Sequence, residues 1–523
     1  MSRVVVVGAG VGGLACAARL AALGHRVTVL ERSEAVGGKL GRYERSTPVG
    51  VFRFDTGPSL LTLPQVFADL FAGTGAGNLD APEPGAFDPG VPEPGGFALG
   101  ALDLAGLAAA GLDLVPLDPV VRHVFADGTR LDSVADHESF TARIGGALGD
   151  RAADDWRRLW RRAARIWRAS WRDVLTRPVD SPLTVARLAW RLGDLAAVAP
   201  GRTLRGLGRS YLSDARLRTL LDRYATYTGA DPRRAPAALA AIPYAELTFG
   251  GWYLRGGLGT LADALLARCT GLGVAVRTGS EVVGVDVAGD RVHGVRLADG
   301  GYLAADVVVA NADALAVYRD LLPAPRRAAR LGDRGLAGFV LLLGVRGATP
   351  GLAHHTVFFP RDYDAEFDAV FGDPGRGRPA RPAGDPTVFV TVAADATVRP
   401  DRHEAWFVLV NAPVHGTSAG GVDWRRPGVA DAYADRVLAV LARRGVDVRD
   451  RVLFREVRTP ADLEAATGAP GGAIYGDAGR LLRTPNRGPV RGLYLVGGST
   501  HPGGGLPMVA LSARIVAAMI GPA

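Results

Sequence analysis

Short apolar runs bounded by glycine alternate with longer helical stretches along most of the chain. Val4 to Val7 is a β-branched run of the kind that forms a strand buried on both faces. A glycine turn follows, and then the Ala- and Leu-rich stretch Leu14 to Leu23, which predicts a helix closed by Gly24. Val27 to Leu30 predicts a second strand, ending at Glu31. Pro64 to Phe71 has the pattern of a short helix. Val120 to Phe125, the Asp127-Gly128 turn and Thr129 to Leu131 together predict a β-hairpin. Residues 151–223 are helical in pattern. Val274 to Val276, Glu281 to Val287 and Val292 to Leu297 are strand-like, and Asp299-Gly300 turns the chain into Asp306 to Ala310. Further strands are predicted at Phe339 to Leu343, Thr387 to Val392, Trp406 to Val410 and Leu493 to Val496, with a closing helix from about Val509 to Ile520.

One stretch has neither period. Pro82-Glu83-Pro84-Gly85-Ala86-Phe87 returns as Pro92-Glu93-Pro94-Gly95-Gly96-Phe97. Proline and glycine at that density make no regular element, so residues 74–111 read as a mobile Pro/Gly-rich insertion. The rest is globular: 523 residues, 48% hydrophobic and 22% charged, which excludes a disordered or fibrous chain and allows several domains. Two cysteines, Cys16 and Cys269, form no disulfide framework and no structural zinc site, and the residue types offer no metal chemistry. The opening Met1-Ser2-Arg3 leads straight into a strand, without a signal-peptide pattern, and no run of 18 apolar residues occurs. The expected location is cytoplasmic.

The glycine turn carries the strongest chemistry. Gly8-Ala9-Gly10-Val11-Gly12-Gly13 is a G-x-G-x-x-G that follows a strand, opens a helix and has an acid, Glu31, 18 residues beyond its last glycine. Gly8 permits the tight turn, Gly10 lets the backbone approach a pyrophosphate, and Gly13 lets helix and strand pack closely. The helix N-terminus offers free N–H groups and its positive dipole end to phosphate. Glu31 suits a ribose hydroxyl pair and repels a 2′-phosphate, so NADP is disfavoured.

The residues that follow separate FAD from NAD. A second glycine pair and a cation, Gly37-Gly38-Lys39, stand just past Glu31 and Arg32, and Asp55-Thr56-Gly57-Pro58 comes next. This combination resembles the FAD-containing amine-oxidase and phytoene-desaturase superfamily. The likeness narrows to bacterial carotenoid desaturases through Asp55-Thr56-Gly57-Pro58-Ser59-Leu60, Arg223-Tyr224-Ala225-Thr226-Tyr227-Thr228-Gly229 and Trp252-Tyr253-Leu254-Arg255-Gly256-Gly257. Asn311-Ala312-Asp313, His354-His355-Thr356 and Gly472-Ala473-Ile474-Tyr475-Gly476 add to it, and the coil from Leu493 to Pro507 is the most diagnostic. The resemblance implies FAD held by Gly8, Gly10, Gly12, Gly13, Glu31, Arg32, Gly38, Lys39 and Gly57 at one end. At the flavin end it implies Gly498, Leu506, Pro507 and Met508, with Val282 at the adenine. Met508 stands where many phytoene desaturases carry glycine, a departure that bears on substrate rather than cofactor. His501, in the flavin-side coil, is either a catalytic group or a structural cap on that turn. Arg255 is the other catalytic candidate.

The net charge of +8 is concentrated. Residues 151–191 hold 11 arginines against four aspartates, whereas Lys39 is the chain's single lysine. At about 100° per residue, Trp156, Trp160, Trp167 and Trp171 share one helix face, while Arg158, Arg161, Arg165, Arg168 and Arg172 occupy the opposite side. Trp190 follows in the next helical stretch. Such a helix suits a membrane interface, with arginine stems snorkelling to head groups, or a core that buries the tryptophans. Nucleic acid is not an expected partner, since no recognised module accompanies the charge.

The expected fold is α/β: a discontinuous Rossmann-like FAD-binding domain (1–73, 245–330 and 472–523) and an α+β substrate domain (112–244 and 331–471) with a helical, membrane-associating part. By resemblance, the expected function is FAD-dependent desaturation of a C40 polyene of the phytoene type. A later carotenoid or C30 polyene, a flavin-dependent isomerase, and a non-enzymatic flavin-binding scaffold are the alternatives. The expected partners are a hydrophobic polyene, a membrane surface met peripherally, and oxygen or a quinone as electron acceptor.

Overall fold

The computed structural model describes residues 1–75, 103–179, 193, 198–477 and 482–523. Both copies of the Pro-Glu-Pro-Gly repeat, and Trp190, lie outside the described residues. The part of the insertion that is described folds back: the short helix Ala105–Ala109 sets Gly106 against the Ala68 carbonyl of the helix Gln65–Gly73.

The half that carries the glycine turn is built on a five-stranded parallel sheet. Its order is Leu493–Leu495, Val307–Ala310, Arg3–Val7, Arg26–Leu30, Ala275–Arg277. Parallel strands need crossovers that cover both faces, so these strands are valine runs without polar alternation. Val4, Val5, Val6, Val308 and Val309 are all buried. The helix Val11–Ala22 packs on the closing helix Leu506–Ile520, which brings the two ends of the chain together. The three-stranded sheet Val282–Ala288, Arg291–Leu297 and Tyr302–Ala304 covers one side.

The other half rests on a seven-stranded mixed sheet. Its strands, in order, are Val452–Arg458, Ala337–Arg346, His403–Ala412, Val388–Val392, His355–Phe358, Val121–Val124 and Arg130–Ser133. The last two form the hairpin that Asp127-Gly128 predicts, with Val121 opposite Ser133. Side chains alternate across a pleat, so each strand serves two faces. Phe339, Leu341, Val388, Val390, Trp406 and Val408 turn outward into a core under the helix Val429–Arg443. Gly338, Val340, Phe389, Phe407 and Leu409 turn the other way and floor a cavity.

The arginine- and tryptophan-faced segment is one helix, Asp150–Ser170, continuing as the wide turn Trp171–Leu175. Its tryptophan face belongs to the core. Trp156, Trp167 and Trp171 are buried, and Trp160 is partly so. Trp156 meets Phe140 edge-on at 5.3 Å, Trp160 stacks on His137 at 4.4 Å, and Trp167 packs on Tyr244 and Phe249. The core reading of the tryptophans therefore holds and the interfacial one does not: the domain's own aromatic residues have taken the surface that lipid would need. Arg158, Arg161, Arg165, Arg168 and Arg172 form the exposed face. Among the described residues no helix is long and apolar enough to cross a membrane.

Candidate active site

The opening glycines are fixed by what surrounds them. Gly8 has φ +96°, a conformation L side chains rarely adopt. A Cβ on Gly13 would overlap the Gly8 carbonyl oxygen, and one on Gly10 would stand 2.8 Å from Asn311 Oδ1. Gly12 faces Asn311 Nδ2 and Val509 in the same way, each at 2.9 Å from such a Cβ. Asn311 Nδ2 also donates to the Val496 carbonyl at 3.0 Å. This one side chain, at the end of the strand Val307–Ala310, therefore joins the opening glycine turn to the closing coil. The sequence marks Asn311 only as part of a family motif and gives no sign of this role.

The Glu31 carboxylate stands at the end of the second strand, accepting from the Ala9 amide at 2.7 Å and the Ser33 amide at 2.9 Å. Lys39 Nζ donates to the Ala473 carbonyl at 3.0 Å and to that of Ile474. Burial pushes the Lys39 ammonium down to about 8. Gly57 passes so close to Lys39 that a Cβ would overlap the Lys39 carbonyl oxygen. Beside it, Asp55 accepts from the Leu258 amide at 2.7 Å and the Gly259 amide at 2.9 Å, while burial pushes its carboxyl up to about 6.

Most of these groups border one cavity of about 1760 Å³; Gly13 and Asp55 stand behind its wall. Gly8, Gly10, Gly12, Glu31, Arg32, Gly38 and Lys39 line one end, together with Val282. Gly57, Gly498, His501, Leu506, Pro507 and Met508 line it as well. Gly13 lies behind the turn, buried between helix and strand. Arg255 is elsewhere. It is about half exposed, donates to Asp113 at 2.7 Å, and is not among the cavity-lining residues. The short strand Trp252–Leu254 that carries it turns Trp252 inward and leaves Arg255 at the surface, so a catalytic role for Arg255 has no geometric support. His501 is buried, with Nε2 at 2.9 Å from both the Val174 and the Arg177 carbonyls. Burial holds its imidazole below the ordinary range, partly offset by those two carbonyls. Its hydrogen bonds tie the closing coil to the segment after the arginine-faced helix, while the ring still borders the cavity.

Beyond the glycines the cavity becomes apolar. Phe389, Phe407 and Leu409 form its floor, and Leu239, Ile242 and Ala245 another wall. It also reaches Trp167, Val174 and Leu175, at the end of the arginine-faced helix. Polar groups interrupt this lining at Thr387 and Asn411 and at a cluster of Arg223, Tyr227 and Glu246. Sequence reasoning passed over Glu246, because it lies mid-helix in Ala241–Phe249 with no motif around it.

The donor set fits FAD. A glycine turn that no Cβ could enter, an acid at the ribose position and a closing coil held to the same turn by Asn311 suit an extended dinucleotide with its second ring system at the coil. Residues 11–334 match the family described as flavin containing amine oxidoreductase. The chain is 30% identical to the 4,4'-diapolycopene oxygenase of a Methylomonas species, over 98% of this chain and 97% of that one. It is 32% identical to the phytoene dehydrogenase of Streptomyces griseus, over 99% and 95%. Among solved structures, the cyclohexylamine oxidase of Brevibacterium oxydans IH-35A shares the fold, with a TM-score of 0.57, 15% identity and coverage of 99% and 98%. FAD is the cofactor, and the chain belongs to the flavin-containing amine oxidoreductase family, on its carotenoid-desaturase side.

Proposed function

We propose that this protein is an FAD-dependent oxidoreductase that desaturates a C40 polyene of the phytoene type. The observation that carries the reading is the cavity itself. At about 1760 Å³ it exceeds the roughly 300–1,000 Å³ of a pocket for one small molecule, and it passes from glycine and carboxylate to an apolar lining without a break. A dinucleotide and a long hydrocarbon chain divide such a space naturally. Relatives named for phytoene and for diapolycopene support the same substrate class.

Bound FAD supplies a hydride acceptor. The protein positions and dries the substrate. Phe389, Phe407 and Leu409 present a flat apolar floor to a polyene, and the fixed sheet behind them keeps its allylic carbons in register with the closing coil. The backbone groups of the glycine turn and the Glu31 carboxylate hold the cofactor's pyrophosphate and ribose. Gly498 and the helix start Leu506–Met508 hold its ring end. A hydrocarbon substrate resides in lipid. The exposed arginines of the helix Asp150–Ser170 therefore meet anionic head groups, and the cavity reaches that helix's end. The acceptor that would reoxidise the bound cofactor is oxygen or a quinone.

A later carotenoid, or a C30 chain, is the second reading. Met508 favours it, because this side chain borders the cavity and takes up room beside Pro507. Incubation of the flavin-loaded protein with phytoene in liposomes, followed by product spectra, tests the proposal. Stepwise red-shifted absorbance supports phytoene; turnover only of shorter or already desaturated polyenes selects the second reading. No product from any polyene refutes both.

A further inference from the structure

The mechanism above leaves one proton without a destination. Forming a C=C bond removes a hydride from one carbon and a proton from its neighbour. Among the described residues lining the cavity, several carboxylates are already committed. Glu31 accepts from the glycine turn, Asp313 is paired with Arg334 at 2.8 Å, and Asp462 closes a capping box with Thr459. Glu246 differs. It is 1% exposed, it stands in the apolar half of the cavity, and its hydrogen bonds run to tyrosine hydroxyls. Tyr224 Oη donates to Glu246 Oε1 at 2.8 Å, and Tyr227 Oη donates to Oε2 at 3.0 Å.

Tyr227 completes the geometry. Its ring is only partly covered by protein, since it borders the cavity. Arg223 Nη2 donates to Tyr227 Oη at 3.0 Å, and the guanidinium lies 5.1 Å from the Tyr227 ring centroid. A phenolic oxygen has one proton and two lone pairs. The proton goes to Glu246, one lone pair accepts from Arg223, and one lone pair is left. The Arg223 charge offsets that of Glu246, which is what allows a carboxylate to be kept so deep in an apolar wall.

The cluster also sits at the reacting end. Tyr227 belongs to the turn Tyr224–Thr228, and Arg483 Nη2 donates to the Thr228 carbonyl at 3.0 Å. Gly229, next in the chain, packs on Tyr475, and Tyr475 fills the space beside Gly504 in the closing coil. Three short contacts thus tie the Tyr227 turn to the coil that holds the flavin.

We propose that Tyr227 is the catalytic proton acceptor of the desaturation, relaying the proton to Glu246. This rests on the polyene-desaturase reading. The polyene loses a hydride to FAD, which is reduced by two electrons. The adjacent C–H gives its proton to Tyr227 Oη, whose own proton crosses to Glu246 Oε2, and the C–H electron pair becomes the new π bond. The carbon beside an allylic cation is strongly acidic, so a neutral phenol backed by a carboxylate is base enough. Arg223 is a positioning residue: it fixes the phenol and balances the charge.

The test uses Tyr227→Phe, Glu246→Gln and Glu246→Asp in the flavin-loaded protein. A positioned base is worth about 100-fold or more. Tyr227→Phe and Glu246→Gln should each slow anaerobic flavin bleaching by polyene about 100-fold, and Glu246→Asp should restore part of the rate. Flavin content, melting temperature and polyene binding, read by quenching of the cavity-lining Trp167, should stay near those of the parent. The kinetic isotope effect from deuterium on the proton-losing carbon should grow. A Tyr227→Phe protein that bleaches within threefold of the parent, or one that loses rate only as it loses binding, overturns the relay. Should Glu246→Gln fail to fold, Tyr227→Phe decides alone. A parent that bleaches with no polyene takes down the desaturase reading, and the relay with it, whereas an active parent with an equally active Tyr227→Phe takes down the relay only.

Discussion

The two ends of the cavity are built on opposite principles. The dinucleotide end is made by leaving side chains out: Gly8, Gly10, Gly12, Gly13 and Gly57 bring backbone against backbone, with Asn311 filling what remains. The substrate end is made by putting large side chains in, on a sheet floor and against an aromatic helix face. An end built from absences tolerates no addition, and an end built from bulk tolerates trimming until a cavity opens. The comparison makes graded predictions.

The largest effect belongs to Gly57→Val. The added carbons overlap the Lys39 carbonyl, so the purified protein should lose at least nine-tenths of its flavin absorbance relative to protein, roughly the tenfold loss of a 1.4 kcal/mol change or more. Gly10→Val should do the same through Asn311, whereas normal flavin content would show that these glycines do not bound the cofactor.

At the other end, Trp156→Ala removes a buried indole and should cost about 3–5 kcal/mol of folding stability, read by denaturant titration. Flavin binding per folded molecule should survive. Unchanged stability together with weaker vesicle binding would restore the interfacial reading of this face. Replacing Arg161, Arg165 and Arg168 with Ser should leave stability near the parent's but weaken binding to anionic vesicles by about tenfold or more, with added salt producing the same loss in the parent.

A smaller effect is the pH dependence set by Asp55. Burial outweighs the two backbone donors and pushes its carboxyl up to about 6 from an ordinary 3.8. The folded chain therefore holds this proton more tightly than the unfolded chain between those values. Stability from this group is greatest below the lower value and falls as pH rises through about 6. Asp55→Asn should flatten that part of the stability profile; a parent whose stability does not fall over this range would refute the assignment. The smallest effect is Arg255→Ala. Its pair with Asp113 is exposed and away from the cavity, so flavin content and turnover should both match the parent.

What could be read from the sequence follows the same division. The glycine turn, the acid after the second strand and the closing coil are local, because each function is carried by residues adjacent in the chain. The long sheet strands were legible for the same reason: Phe339 to Leu343 and Trp406 to Val410 have runs too apolar for anything but a buried strand. The Arg223–Tyr227–Glu246 cluster was legible only in part: Arg223 and Tyr227 share a motif of the resemblance, but Glu246 comes from a separate helix placed by tertiary packing, and a single glutamate in a helix has no signature of its own. The tryptophan face was half legible. Its period fixed which residues share a side of the helix, but whether protein or lipid covers that side depends on Phe140, Tyr244 and Phe249, brought in from elsewhere.

The strand order of the parallel sheet has a consequence for biosynthesis. Leu493–Leu495 pairs with Val307–Ala310, which pairs with the first strand, Arg3–Val7, so the sheet edge nearest the closing coil is made after the other four strands. A ribosome that has finished four of the five strands has not yet produced the coil that Asn311 bolts to the glycine turn. A chain cut before Leu493 would lack both that sheet edge and the coil that lines the cavity, and is expected to carry no flavin when purified.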